Sequence, residues 1–146
     1  MEFYRTFLTL TKKLQRVKHV VRRKRRNRKS ITQNSYARKA VLAEHEEEAR
    51  KLALSRLEHF NQFYNFKYNT VRVKYQKTRW GSCSSKGNLN FNCKIATLSP
   101  QLLDYIIVHE LCHLGQFNHS QKFWYLVEQQ MPDYQKLRAE LKLIRL

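Results

Sequence analysis

The stretch from Leu102 to His113 ends in His109-Glu-Leu-Cys-His113, an H-E-x-x-H pattern that constrains this chain more than any other feature in it. Leu102, Leu103, Ile106, Ile107, Val108 and Leu111 recur at helical spacing. Ser99-Pro100 ahead of them supplies a capping hydroxyl and a residue suited to the first turn. A helix is therefore expected to run to about Leu114, with Gly115 as its stop signal. Residues four apart on a helix differ by about 40° around it and about 6 Å along it, so His109 and His113 emerge from one face. Two neutral imidazoles so placed can bind Zn²⁺ and leave positions open for further ligands. Glu110, one step from His109, points elsewhere, to a place beside the metal where a carboxylate can take a proton from activated water. The competing reading is a helix with two polar residues near its exposed end.

His119 lies six residues beyond His113 and gives H-E-x-x-H-x₅-H, the ligand spacing of metzincins, although Gln116 stands where their Gly is expected and Gly115 is beside it. A helix that stops near Gly115 lets the chain turn back and bring His119 over the metal. Glu128, on the following helix, is the rival third ligand. One zinc ion per chain is the expected cofactor, with His109, His113 and His119 as metal ligands and Glu110 as the catalytic acid/base.

The remaining organisation is α+β. Residues from about Tyr36 to Asn65 are helical in composition, with Ala49, Ala53, Leu57, Phe60 and Tyr64 on one face. The period then changes to two: Val71, Val73 and Tyr75 alternate with Arg72, Lys74 and Gln76, and after a turn at Ser84–Asn88 so do Leu89, Phe91 and Cys93 with Asn90 and Asn92. Ser120 offers a cap for a further helix through Phe123, Trp124 and Val127. Met131-Pro132 interrupts it, and a last helix follows over Tyr134, Leu137, Leu141 and Ile144.

Charge divides the 146 residues unevenly. Overall there are 29 Lys and Arg against 11 Asp and Glu, a net +18, which favours an anionic partner. Residues 1–30 alone hold twelve Lys or Arg and one Glu. Phe3, Phe7, Leu10, Leu14, Val17 and Val21 mark an amphipathic helix over residues 2–21 that leads into Arg22, Arg23, Lys24, Arg25, Arg26, Arg28 and Lys29. The polar run Ser30–Ser35 is a place for a boundary, so the expected division is a basic extension, residues 1–34, and a domain over residues 35–146. Nucleic acid is a candidate partner for residues 12–29; a solvated arm and a membrane-surface helix are the other readings. No apolar run is long enough to cross a bilayer, and the first residues hold no uninterrupted signal-peptide core, so a cytoplasmic setting is expected. Three cysteines without C-x-x-C spacing fit buried, reduced thiols better than a disulfide framework or a second metal site.

Thr78-Arg-Trp-Gly-Ser-Cys-Ser84, Gly87-Asn-Leu-Asn-Phe-Asn92, Leu103-Asp-Tyr-Ile-Ile-Val-His-Glu-Leu-Cys-His113, Asn118-His-Ser-Gln-Lys-Phe-Trp124 and Met131-Pro-Asp-Tyr134 occur in this order. Together they resemble YgjP-like metallopeptidases, relatives of the SprT-like zincins. The resemblance implies a zincin-like α+β fold, a small antiparallel sheet packed against helices that include the H-E-x-x-H helix. It also implies zinc-dependent peptidase activity, with His109, His113 and His119 as ligands and Glu110 as general acid/base. Arg79 and Trp80 are expected in core packing or an ion pair. The face made by Asn88, Asn90 and Asn92 is a candidate cleft wall, residues 88–93 a candidate edge for substrate, and Tyr105 a candidate supporting or oxyanion donor. Two functions compete: a zinc peptidase guided by its basic N-terminus to nucleic-acid-associated proteins, and a zinc-stabilised nucleic-acid-binding module without peptidase activity.

Overall fold

The computed structural model describes residues 31–146, with side chains from Ala43 onward. The expected amphipathic helix over 2–21 and the basic tract Arg22–Lys29 lie outside the described residues. The compact unit that carries the site runs from Glu46 to Leu146.

Helix α1 spans Ile31–Tyr64, unbroken through the polar positions up to Ser35. Ala49, Leu52, Ala53, Leu57 and Phe60 form its buried stripe. The helix ends where Asn65 takes a left-handed backbone (φ 52), and its N–H donates to the Asn61 carbonyl at 2.8 Å. The Asn61 side chain then grips Phe66 twice, donating to its carbonyl and accepting from its N–H, both at 2.9 Å. Arg56 on α1 meets Asp104 through two short hydrogen bonds, Nε to Oδ1 at 2.6 Å and Nη2 to Oδ2 at 2.8 Å, a bidentate pair that fixes this helix against the central one.

Three strands follow: β1 Thr70–Lys74, β2 Gly81–Cys83 and β3 Asn88–Asn92, in the sheet order β1-β3-β2. The sheet is mixed, not antiparallel as expected. β2 and β3 form an antiparallel hairpin, closed by the Gly87 N–H on the Ser84 carbonyl with Gly87 at φ 72. β1 lies on the other side of β3 and pairs with it in parallel, Thr70 opposite Asn88 through Lys74 opposite Asn92. The chain therefore has to cross from one flank of β3 to the other between Lys74 and Gly81, and Asn92 fixes that crossing. Its Nδ2 donates to the carbonyls of Gln76 (2.7 Å) and Arg79 (3.0 Å), its N–H to the Trp80 carbonyl (2.8 Å), and its Oδ1 accepts from the Lys94 N–H (3.2 Å). Two expectations fall with this topology. Residues 88–93 are the centre of the sheet and cannot offer a free edge. Asn92, fully buried, is a structural clasp instead of a cleft wall.

A 3₁₀ turn, Cys93–Thr97, which the sequence reading did not anticipate, leads to α2, Pro100–Cys112. The Ser99 hydroxyl accepts from the Leu102 N–H at 3.4 Å, as the capping argument requires. Leu102, Leu103, Ile106, Ile107, Val108, Leu111 and Cys112 are all buried, which makes α2 the axis on which β2, α3 (Gln121–Gln130) and α4 (Tyr134–Leu143) pack. The helix stops at Cys112, earlier than expected. Gly115 is needed for contact: a Cβ there would stand 2.8 Å from the Phe66 ring. Among the described residues no helix is long and apolar enough to cross a membrane.

Candidate active site

The last turn of α2 carries His109 and Glu110, and His113 follows as its C-cap residue with helical backbone angles (φ −64, ψ −20). The chain then reverses through Gly115 and returns His119 on the loop before α3. The three imidazoles converge. Their centroids stand 4.9, 4.8 and 5.0 Å apart in pairs, and one nitrogen of each lies within 4.8 Å of the others. Glu128, the rival ligand, is exposed on α3 and outside this cluster.

Two features suit these histidines to a divalent metal. The Nε2 atoms of His109 and His119 face each other at 3.1 Å. Two nitrogens about 2.0–2.1 Å from a tetrahedral zinc would stand about 3.3–3.4 Å apart, so this spacing is close to one edge of such a site. In addition, His113 Nδ1 lies 3.0 Å from the Gln116 carbonyl, which can only accept; that nitrogen carries the proton and Nε2 keeps its lone pair free. Burial, reinforced by the neighbouring His113, His119 and Arg138, lowers the His109 pKa to about 3, so its ring is neutral at ordinary pH. Burial also lowers that of His119. Neutral imidazoles are the form that binds metal.

An aromatic bed sets the cluster in place. Phe123, fully buried, stands 4.9, 4.5 and 4.8 Å from the rings of His109, His113 and His119 and so packs against all three. Trp124 stacks on His119 at 5.5 Å, and Tyr134 stacks on Trp124 at 5.0 Å. The guanidinium of Arg138 lies 4.8 Å over the same indole. Tyr105, only 4% exposed, meets the edge of His109 at 5.8 Å and lies among the core residues of α2. The sequence reading missed Phe123, Trp124, Tyr134 and Arg138 as parts of the site. The Phe123-Trp124 pair four residues after His119 was the available signal, because that spacing puts two large rings at the start of α3 beside the loop.

Glu110 is buried (7% exposed) under β2. Burial pushes its carboxyl up to about 8 against the opposing charge of Arg79. Gly81 makes room for it: a Cβ at that position would lie 2.7 Å from both Glu110 Cγ and Oε1. A cleft of about 340 Å³ opens over these groups. β2 and Arg79 form one wall and Phe117, 55% exposed, lies among its other lining residues. Arg79 is exposed, contrary to the expected core packing, and Trp80 is half-buried. Neither Asn88 nor Asn90 lines the cleft: Asn88 Oδ1 accepts from the Thr70 hydroxyl at 2.8 Å, and Asn90 reaches the Ser82 hydroxyl at 3.4 Å. All three cysteines are free. Cys93 and Cys112 are buried as expected, whereas Cys83 is half-buried and lines the cleft.

A helix-borne His-Glu-x-x-His with a third histidine brought in by the next loop is the arrangement of a metallopeptidase. The comparisons agree. A family model for the YgjP-like metallopeptidase domain matches residues 4–143, and the chain belongs to that family. The metallopeptidase zymogen abylysin of Pyrococcus abyssi is similar in structure, with a TM-score of 0.56 and 27% identity, over 64% of this chain and 96% of that one. The metallopeptidase zymogen jannalysin of Methanocaldococcus jannaschii is similar too, with a TM-score of 0.53 and 25% identity, over 63% of this chain and 97% of that one. No curated protein matches the sequence. The enzyme is a peptidase, a hydrolase.

Proposed function

We propose that this metallopeptidase uses one zinc ion per chain, held by His109, His113 and His119, with Glu110 as general acid and base on a peptide or protein substrate. The observation that carries the reading is the convergence of three imidazoles beside a single buried carboxyl. Zinc bound there supplies Lewis acidity, polarising a carbonyl and making water a stronger acid. Glu110 supplies the proton traffic. A carboxylate whose pKa is raised by burial holds a proton more tightly than an exposed one and can return it to a leaving amine. β2 supplies the track: it is a sheet edge that lines the cleft, so an extended peptide can add to it as an antiparallel strand.

The test is metal content. Wild type is expected to hold about one zinc per chain, and His109→Ala and His119→Ala to lose it together with hydrolysis. Full zinc occupancy in His119→Ala would return the third position to Glu128 or another donor.

Trp124 bears on the same measurement. His119 sits on an exposed loop, and among the described residues its one hydrogen-bond contact is to another ring of the cluster, so stacking on Trp124 does the work of an orienting hydrogen bond. Loss of such orienting groups typically lowers metal affinity about 10–100-fold. Trp124→Ala is expected to fall in that range by competition with a chelating dye, and Trp124→Phe to recover most of the loss. Equal affinity in all three proteins would remove the stack from the account.

The division into a basic extension over residues 1–34 and a peptidase domain over residues 35–146 belongs to the same proposal. So does guidance of the enzyme to nucleic-acid-associated proteins by residues 12–29, which the local charge excess supports. The three free thiols support a cytoplasmic setting. The competing expectation, a zinc-stabilised nucleic-acid-binding module without peptidase activity, does not fit the family to which the chain belongs. It explains the charge but gives no role to the buried carboxyl of Glu110.

A further inference from the structure

We infer that Arg79 receives a carboxylate of the substrate on the C-terminal side of the scissile bond, an inference that rests on the peptidase reading above. Arg79 is the one Lys or Arg among the residues lining the cleft. It is exposed, and among the described residues its guanidinium has no hydrogen-bond or ion-pair partner. Its backbone is nevertheless fixed. The buried Asn92 side chain donates to the Arg79 carbonyl at 3.0 Å and the Asn92 N–H to the next carbonyl, that of Trp80, at 2.8 Å. A cation on a fixed piece of backbone in a catalytic cleft, near the Glu110 carboxyl but with no hydrogen-bond or ion-pair partner among the described residues, is suited to an anionic group that arrives with the substrate.

The direction follows from the sheet. β2 runs from Gly81 to Cys83 along the cleft, and Arg79 lies just before its first residue. A peptide paired antiparallel to β2 runs the opposite way, so its C-terminal portion heads toward Arg79. Two kinds of carboxylate can meet it there: an Asp or Glu side chain just beyond the scissile bond, or the free C-terminus of a short peptide. Both present the planar pair of oxygens that a guanidinium fork matches.

The experiment uses zinc-loaded full-length enzyme and matched fluorogenic peptides. One set, all C-terminally amidated, differs only in Glu, Gln or Lys just after the cleaved bond; a second pair compares a free C-terminus with its amide. Wild type is expected to prefer at least one carboxylate form by about tenfold in kcat/KM, mostly through KM, because a charge-assisted contact made equally before and during reaction changes binding. Arg79→Gln should level that preference, and Arg79→Glu should turn it toward Lys. A preference carried by the side-chain set names the acidic residue as the source; one carried by the second pair names the terminus. A purely structural loss would lower all peptides alike and could not invert the order. Indifference of wild type to every charge change, or a preference that survives in Arg79→Gln, overturns the assignment and leaves the peptidase reading standing. Zinc-loaded wild type that cleaves none of these peptides and no unfolded protein overturns both.

Discussion

Glu110→Gln is expected to keep its zinc and to lower peptide hydrolysis by about 10²–10⁴-fold, the usual contribution of a general acid/base. The amide is nearly the same size as the carboxyl, so the fit under Gly81 is preserved, and the three imidazoles do not involve this side chain. What changes is proton affinity. Burial raises the Glu110 carboxyl to about 8, so its carboxylate is a stronger base than an exposed one and its protonated form can hand the proton on. An amide can do neither. Zinc content measured beside initial rates on an unfolded protein substrate separates the possibilities. Metal loss in this variant would mean that Glu110 supports the cluster, and undiminished cleavage would leave its proposed role empty.

Gly81→Ala should cost nearly as much with no change in any ionisable group. The added methyl would stand 2.7 Å from Glu110 Cγ and Oε1 and 2.9 Å from Cδ, well inside van der Waals contact. An exposed glutamate would swing away, but this one is 93% covered, between β2 and the core of α2. β2 cannot easily retreat either, because Gly81, Ser82 and Cys83 are each paired with β3. A displacement of about 1 Å at a reacting group costs on the order of 10²-fold, and overpacking costs about 1–3 kcal/mol of stability. Hydrolysis should therefore fall about a hundredfold with zinc binding retained and the urea midpoint lowered. Wild-type rates in Gly81→Ala would show that the carboxyl has room that these distances deny.

The elements that carry the site were more legible than their arrangement. Ser99-Pro100 and the apolar spacing after it locate the start of α2, and two histidines four apart on a helix must share a face whatever surrounds it. His119 was legible because a chain that stops its helix just after His113 has few places to put the next residues. Alternation located β1 and β3 but could not say which neighbours they take, since a period of two reports a buried face and is silent about the edges. That is why the parallel pairing of β1 with β3 and the edge position of β2 emerged only from the fold. Asn92 misled for a related reason. It stands in a polar alternating run, yet it is buried because it replaces water for the carbonyls of Gln76 and Arg79. The bed of Phe123, Trp124, Tyr134 and Arg138 joins two helices and a loop, and such tertiary stacking leaves little periodic trace.

A strand with one flank unpaired is a hazard as well as a docking track, because any extended chain, another copy included, can register on it and begin a stack. Among the described residues that flank is three residues long and begins with a glycine. So short a ledge offers too few backbone bonds to hold a passing chain by itself, and lasting attachment has to come from side chains that find what flanks it. An edge this short can serve a cleft with little risk of seeding fibres of the enzyme itself.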